Sequence, residues 1–143
     1  PAGDFQLMSA GSGIRHSEYN PSQTEPLSLL QIWIEPNEVG TTPGYQQKKI
    51  ATQPGLTLVA SPDGEEGSFR IRQQARIWRL QLATGETLEW ALQGRHGYLH
   101  MISGELTGNG LAARPGDGLL SRDEASWTLT AAEGSEALLF DLP

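Results

Sequence analysis

The sequence predicts an all-β protein, a jelly-roll β-sandwich, on three observations. Short apolar runs recur at close intervals; 17 glycines and nine prolines punctuate them; no long run repeats with the 3.6-residue period of an amphipathic helix. Hydrophobic residues make up 37% of the 143 positions and include four tryptophans, enough for a packed core and too many for a disordered chain. The length suits one domain, or one and a half small ones.

Taken in order, the elements divide the chain unevenly. "PAGDFQLM" reads as a turn leading into an apolar strand. "LSLLQIWIEP" alternates, with Leu30, Ile32 and Ile34 on one face and Leu29, Gln31 and Trp33 on the other. Both faces are mainly apolar, so this strand is expected deep between layers, and Pro36 stops it. A Gly/Pro-rich connector, "PNEVGTTPGYQQ", then marks the main boundary near residues 36–50. Beyond it, "LTLVASP", "FRIRQQ", "ARIWRLQL", "ETLEWALQ", "GYLHMISGEL", "GLLSRD", "SWTLTA" and "EALLFDLP" follow one another with turn residues between them. Eight short strands in that space predict one complete sandwich over residues 46–143. Asn109-Gly110 in "TGNGL" predicts a two-residue hairpin, because that pair tolerates the positive φ of a type I′ turn. Residues 1–35 supply only about three strands, too few to close a second sandwich. "PAGDFQLM" also echoes "RPGDGLLS" at 114–121, as if two copies of one β unit were present and the first lacked its front half. The start at Pro1 rather than Met agrees with a truncated or processed parent.

Composition narrows the function. The net charge is −7 and the sequence pI about 4.8. An acidic surface repels phosphate backbones, which argues against nucleic acid as a partner. The densest basic stretch, "FRIRQQARIWR", places Arg70, Arg72 and Arg76 on one face of an extended strand and Arg79 on the other, a solvated face. There is no cysteine, which excludes thiolate chemistry and fits a reducing compartment such as the cytoplasm. No apolar run approaches the roughly 18 residues of a membrane span.

One short motif carries chemistry. In "SAGSGIRHSEYNPS", His16 is followed two places on by Glu18. On an extended segment those side chains point to the same side, with α-carbons about 6.6 Å apart at about 3.3 Å per residue. Both can therefore reach one ion at about 2.0–2.2 Å. Gly11 and Gly13 upstream allow a sharp turn. Imidazole with carboxylate suits iron(II), manganese, zinc or nickel better than calcium. Two ligands do not make a tight site, and a working centre needs at least three, as in the two-His-one-carboxylate arrangement. The remaining histidines, His96 and His100 in "GRHGYLHMISGEL", are four residues apart on a run that reads as a strand. His100 shares a face there with Tyr98 and Ile102, the setting of a histidine at the edge of a core.

"PAGDFQLMSAGSGIRHSEYNPS", with "LSLLQIWIEP" after it, closely resembles the pirin family of two-cupin proteins, and the closing "ALLFDLP" is similar to the end of a bacterial member. The resemblance runs through the whole chain, and "GIRHSEYN" is its most specific part. It implies the cupin form of the jelly roll: the back half of a metal-binding first cupin over residues 1–45, and a second cupin over 46–143. Pirins resembling this chain hold a metal through two early histidines and a later His and Glu. The later pair matches His16 and Glu18, whereas the early His-x-His has no match here. In the second cupin, neither "ETLEWALQG" nor "RPGDGLLSRDEASWTL" has a histidine where a ligand would fall, which implies a metal-free barrel.

By the same resemblance, the full-length parent is an iron(II)-dependent dioxygenase of the quercetin 2,3-dioxygenase type acting on flavonols. His16 and Glu18 then ligate the metal, and Glu18 also takes the proton of the flavonol hydroxyl. This chain alone would bind metal weakly or not at all and be inactive. The family supports one other class, a non-catalytic metal-sensing module that binds transcription regulators or metabolic enzymes. A half barrel also exposes strand edges and apolar faces such as Leu30, Ile32 and Ile34. Self-association, or pairing with the missing N-terminal half, is the expected consequence.

Overall fold

A computed structural model describes residues 3–51, 53–93 and 96–143. Pro1, on which the reading of a truncated start rests, lies outside the described residues, as do Ala2, Gly94 and Arg95 in the runs above. The element order is β1 (Asp4–Ser9), β2 (Gly44–Lys49), β3 (Gly55–Ser61), a 3₁₀ turn (Glu65–Gly67), β4 (Phe69–Arg70), β5 (Arg76–Leu82), β6 (Thr87–Ala91), β7 (His96–Ser103), β8 (Leu106–Gly108), β9 (Leu111–Ala113), β10 (Gly118–Arg122), β11 (Ser126–Ala131) and β12 (Ser135–Leu142). No helix among the described residues is long and apolar enough to cross a membrane.

The strands build two facing sheets and a separate ribbon. A six-stranded sheet runs β10-β7-β12-β5-β3-β4, a four-stranded sheet runs β6-β11-β8-β9, and β1 pairs with β2 alone. All neighbours are antiparallel except the short β3–β4 pair. The predicted hairpin is present, with Gly108 opposite Leu111 and positive φ at Asn109 (45°) and Gly110 (84°). The two echoed turns share a backbone shape: φ is 89° at Gly3 before β1 and 90° at Gly116 before β10.

Alternation along the strands decides what is buried. On β12, Ala137 and Leu139 face the four-stranded sheet, where they join Leu80, Leu82, Trp90, Leu99, Met101, Leu106, Trp127 and Leu129. Leu138 and Phe140 face the other way and join Val59, Ala60, Phe69, Ile71 and Ile77 in a second cluster. Phe5 and Leu7 of β1, with Ile34 and Ile50, pack on that outer cluster. The six-stranded sheet is thus covered on both faces, which is why β12 reads as a nearly continuous apolar run.

Two expectations need correction. Residues 27–34 are not a buried strand: Leu27, Leu29, Leu30, Ile32 and Trp33 are 55, 54, 49, 43 and 87% exposed, and among the outward-alternating residues only Ile34 reaches a core. Their alternation specifies two apolar surroundings, and the described residues supply cover at one end alone. Consequently residues 1–35 contribute one strand among the described residues, β1, rather than three. The arginine run is not one strand either. It breaks at residues 71–75 between β4 and β5, and three of its four arginines pair with different carboxylates: Arg72 with Glu38 (3.6 Å), Arg76 with Glu65 (3.1 Å) and Arg79 with Glu136 (2.7 Å).

Candidate functional site

The β1–β2 ladder is the base from which the His16 segment rises. It pairs six residues on each strand, ending at Ser9 opposite Gly44, and its inner face sits on the outer core. Lys48 fastens it further: Nζ donates to the carbonyls of Ser68 (2.8 Å) and Gly67 (3.1 Å) and stands 5.1 Å from the centre of the Phe69 ring.

Past the ladder the chain turns through residues 10–13. Gly13 N–H donates to Ala10 O (2.7 Å), and Ser12 N–H donates to Thr41 O (3.0 Å). Gly11 is required here twice over. Its φ of 53° is left-handed, and a Cβ would collide with Thr41 O and come within 2.7 Å of Pro43 N. Beyond Gly13 the run carrying His16 and Glu18 lies outside any sheet, and both side chains are exposed. A polar turn follows, in which Ser22 Oγ accepts from the N–H groups of Glu25 (2.9 Å) and Thr24 (3.3 Å). The excursion is pinned again at its far end. Asn37 N–H donates to Arg72 O (2.7 Å) and Gln73 Nε2 to Glu35 O (2.9 Å).

The structure thus presents His16 and Glu18 from a segment tied down at residues 11–12 and 34–38. Their donor chemistry fits a divalent first-row metal. Among the described residues, however, no three His, Asp or Glu side chains converge on one point, so no complete metal site is formed around the pair there. His96 and His100 do not complete it. Both project from β7 on the outer face, alongside Tyr98 and Ile102, in the core-edge setting expected for His100. Four residues of strand also hold their α-carbons about 13 Å apart.

The interior of the C-terminal sandwich has a different character. Trp78 meets Trp90 edge-on at 5.8 Å between ring centres, and Trp90 meets Trp127 edge-on at 6.0 Å. Leu80, Leu99, Leu129 and Leu139, all fully buried, pack the remaining space. The one inward carboxylate of β12, Asp141, accepts a hydrogen bond from Gln93 N–H (2.8 Å). Sequence reasoning missed this aromatic filling, although its signal was available: Trp78 alternates in step with Leu80 and Leu82.

A six-stranded sheet facing a four-stranded one across such a core defines a protein of the cupin, jelly-roll class. Residues 58–142 match the profile of the quercetinase C-terminal cupin domain, and residues 1–34 match that of pirin. The chain belongs to the pirin family. It is 46% identical over its full length to the quercetin 2,3-dioxygenase of Escherichia coli K12, and 39% identical over 99% of its length to a putative quercetin 2,3-dioxygenase of Pasteurella multocida. It spans 62% of the length of each of these relatives. The crystal structure of the E. coli bacterial pirin YhhW in complex with nickel(II) superposes on the whole chain with a TM-score of 0.95 at 46% identity, over 62% of its own length. A quercetin 2,3-dioxygenase from Acinetobacter baumannii, at 17% identity and a TM-score of 0.59 over 73% of this chain and 41% of its own, shares the fold.

Proposed function

We propose that the full-length protein is an iron(II)-dependent dioxygenase of flavonols such as quercetin. In this reading residues 1–45 are the back half of its metal-binding cupin, and residues 46–143 are a metal-free second cupin. The observation that carries it is the exposed imidazole–carboxylate pair, His16 and Glu18, held out from an anchored segment within the stretch that matches the pirin profile. The names of the relatives supply the substrate class. His16 and Glu18 would hold the metal with ligands from outside this chain. When bound, the ion would supply Lewis acidity and one-electron chemistry to the substrate. Glu18 contributes a carboxylate that takes the proton of the flavonol hydroxyl, so that base and metal serve the same substrate atom. The Trp-filled interior of the second cupin leaves it the role of a scaffold. The chain alone carries two donors and would bind metal weakly and turn over nothing. The lack of cysteine favours a cytoplasmic setting.

The test is metal content by elemental mass spectrometry together with loss of the flavonol's visible absorbance, on the full-length protein and its His16→Ala variant. About one ion per chain and turnover, both lost in the variant, is the expected result. Full metal content in His16→Ala overturns the assignment.

A second reading has its own observation. The exposed run Leu27, Leu29, Leu30, Ile32 and Trp33 favours a chain that associates, with a second copy or with its N-terminal half, and whose work is protein binding. Specific capture of a transcription regulator or metabolic enzyme, without turnover, supports that module. A compact monomer in solution scattering removes self-association.

A further inference from the structure

The Asn109-Gly110 turn has a chemistry of its own that the reading above does not use. We propose that it is a self-modification site, a deamidating Asn-Gly pair that the fold holds shut until the β8–β9 hairpin opens. Asn-Gly is the dipeptide most open to intramolecular attack, because glycine has no side chain to obstruct its own backbone nitrogen. The Gly110 nitrogen attacks Asn109 Cγ. The new C–N bond closes a five-membered imide, the Cγ–Nδ2 bond breaks, and the side-chain nitrogen leaves as ammonia with the displaced amide proton. Water then opens the imide at either carbonyl, giving aspartate or isoaspartate.

That closure requires the carboxamide to swing over its own backbone, and in the native turn every edge of it is engaged. Nδ2 donates to Glu124 Oε2 (2.8 Å) and to Ser126 O (3.4 Å). Oδ1 accepts from Thr128 N–H (2.8 Å). Asn109 N–H in turn donates to Thr128 O (3.1 Å), so side chain and backbone are both moored to the β11 side of the sheet. The lock needs an amide and not an acid. Once the nitrogen is lost, a carboxylate stands where a donor faced Glu124, and two like charges replace a hydrogen bond. Opening therefore becomes irreversible: a hairpin that has reacted does not re-form the same mooring. Native-state opening of the hairpin sets the rate.

The test follows the amide-to-acid mass change in the peptide containing residue 109, with Asn20 and Asn37, which precede Pro and Glu, as internal references. The chain is aged at mildly alkaline pH as the folded wild type, as Glu124→Ala, and in urea. Wild type in buffer is expected to react at least about tenfold more slowly than in urea. Glu124→Ala, at an exposed position outside both core clusters, is expected to fall between and to converge with wild type in urea. Equal rates for folded and unfolded wild type overturn the proposal. So do no product in urea, and a Glu124→Ala rate equal to wild type in buffer. Circular dichroism of the variant separates a loosened turn from a lost fold.

Discussion

The C-terminal sandwich and the region before it differ in where their apolar side chains end up. From residue 55 onward nearly every inward position of a strand is buried, and Leu80, Leu99, Leu129 and Leu139 are fully so. Between residues 14 and 33 every residue is exposed, although "LSLLQIW" is as apolar as any strand of the sandwich. The difference teaches that apolar alternation states a demand for surroundings and does not guarantee them. The sandwich satisfies the demand internally. The N-terminal region does so only at its anchors, Phe5, Leu7, Ile34 and Ile50, and leaves the residues between 14 and 33 exposed.

The largest expected effect breaks the comparison from the sandwich side. Leu139→Ala, at the centre of β12 and fully buried between the sheets, is expected to cost about 2–5 kcal/mol in denaturant unfolding. Leu30→Ala, half exposed outside any sheet, is expected to change stability by less than about 0.5 kcal/mol. Equal costs would mean that the 27–33 run is packed in solution against something the chain itself provides.

Next in size is the crossing at Gly11. Gly11→Ala combines a left-handed φ with a collision against the 41–43 backbone. Gly85→Ala carries a similar φ of 80° with open space around the added Cβ, which isolates the conformational term of about 1 kcal/mol. Gly11→Ala is therefore expected to destabilise more than Gly85→Ala. In the full-length protein it is also expected to lower metal content, which Gly85→Ala leaves unchanged. Matching unfolding midpoints and metal contents for the two would remove the crossing as the device that positions His16.

These contrasts follow what the amino-acid pattern made legible. Most of the C-terminal strands were readable because turn residues and period-2 burial agree locally, and the Asn109-Gly110 hairpin followed from one dipeptide. "GYLHMISGEL" was harder: it splits into β7 and β8 at Gly104, whose φ is 78° and whose Cβ would collide with the Gly134–Ser135 backbone. Gly104 is the local mark of that break, whereas its close approach to residues thirty positions on is tertiary. The 27–34 run misled for the same reason, since burial depends on what lies opposite. His16-x-Glu18 was visible as a donor pair, but no third His, Asp or Glu side chain joins it among the described residues, and no spacing rule can supply one. Gly11 was visible as a turn residue, whereas its close approach to Thr41 is tertiary.

A smaller effect tests the exposed run as a surface. Ile32→Ser and Trp33→Ser together are expected to leave the unfolding midpoint nearly unchanged, because neither side chain is packed on a core. They are expected to shift sedimentation toward the monomer. An unaltered distribution across concentration would place association, if present, elsewhere, with the free edge of β10 the next surface to alter.

The smallest effect lies within the sandwich's own polar turn and shows how little an exposed charge adds to so apolar a core. Ser61, fully buried, has its hydroxyl at the centre of the 61–68 turn. It donates to Asp63 Oδ1 (3.1 Å), lies 3.0 Å from Ser68 Oγ, and accepts from the N–H groups of Gly64 (2.9 Å) and Glu65 (3.2 Å). The hydrogen bond from Ser61 holds the Asp63 carboxyl below its ordinary range. A carboxyl with a lower pKa folded than unfolded adds stability above its unfolded pKa, near 4, and loses it as pH falls through the folded value. Asp63→Asn is therefore expected to lower stability slightly in the neutral region, by a difference that shrinks as pH falls below about pH 4, so that the acid limb of its stability curve is flatter. Unfolding midpoints from pH 2 to 7 check this, and a difference that stays constant across that range would show that the side chain supports the turn by some route other than its ionisation.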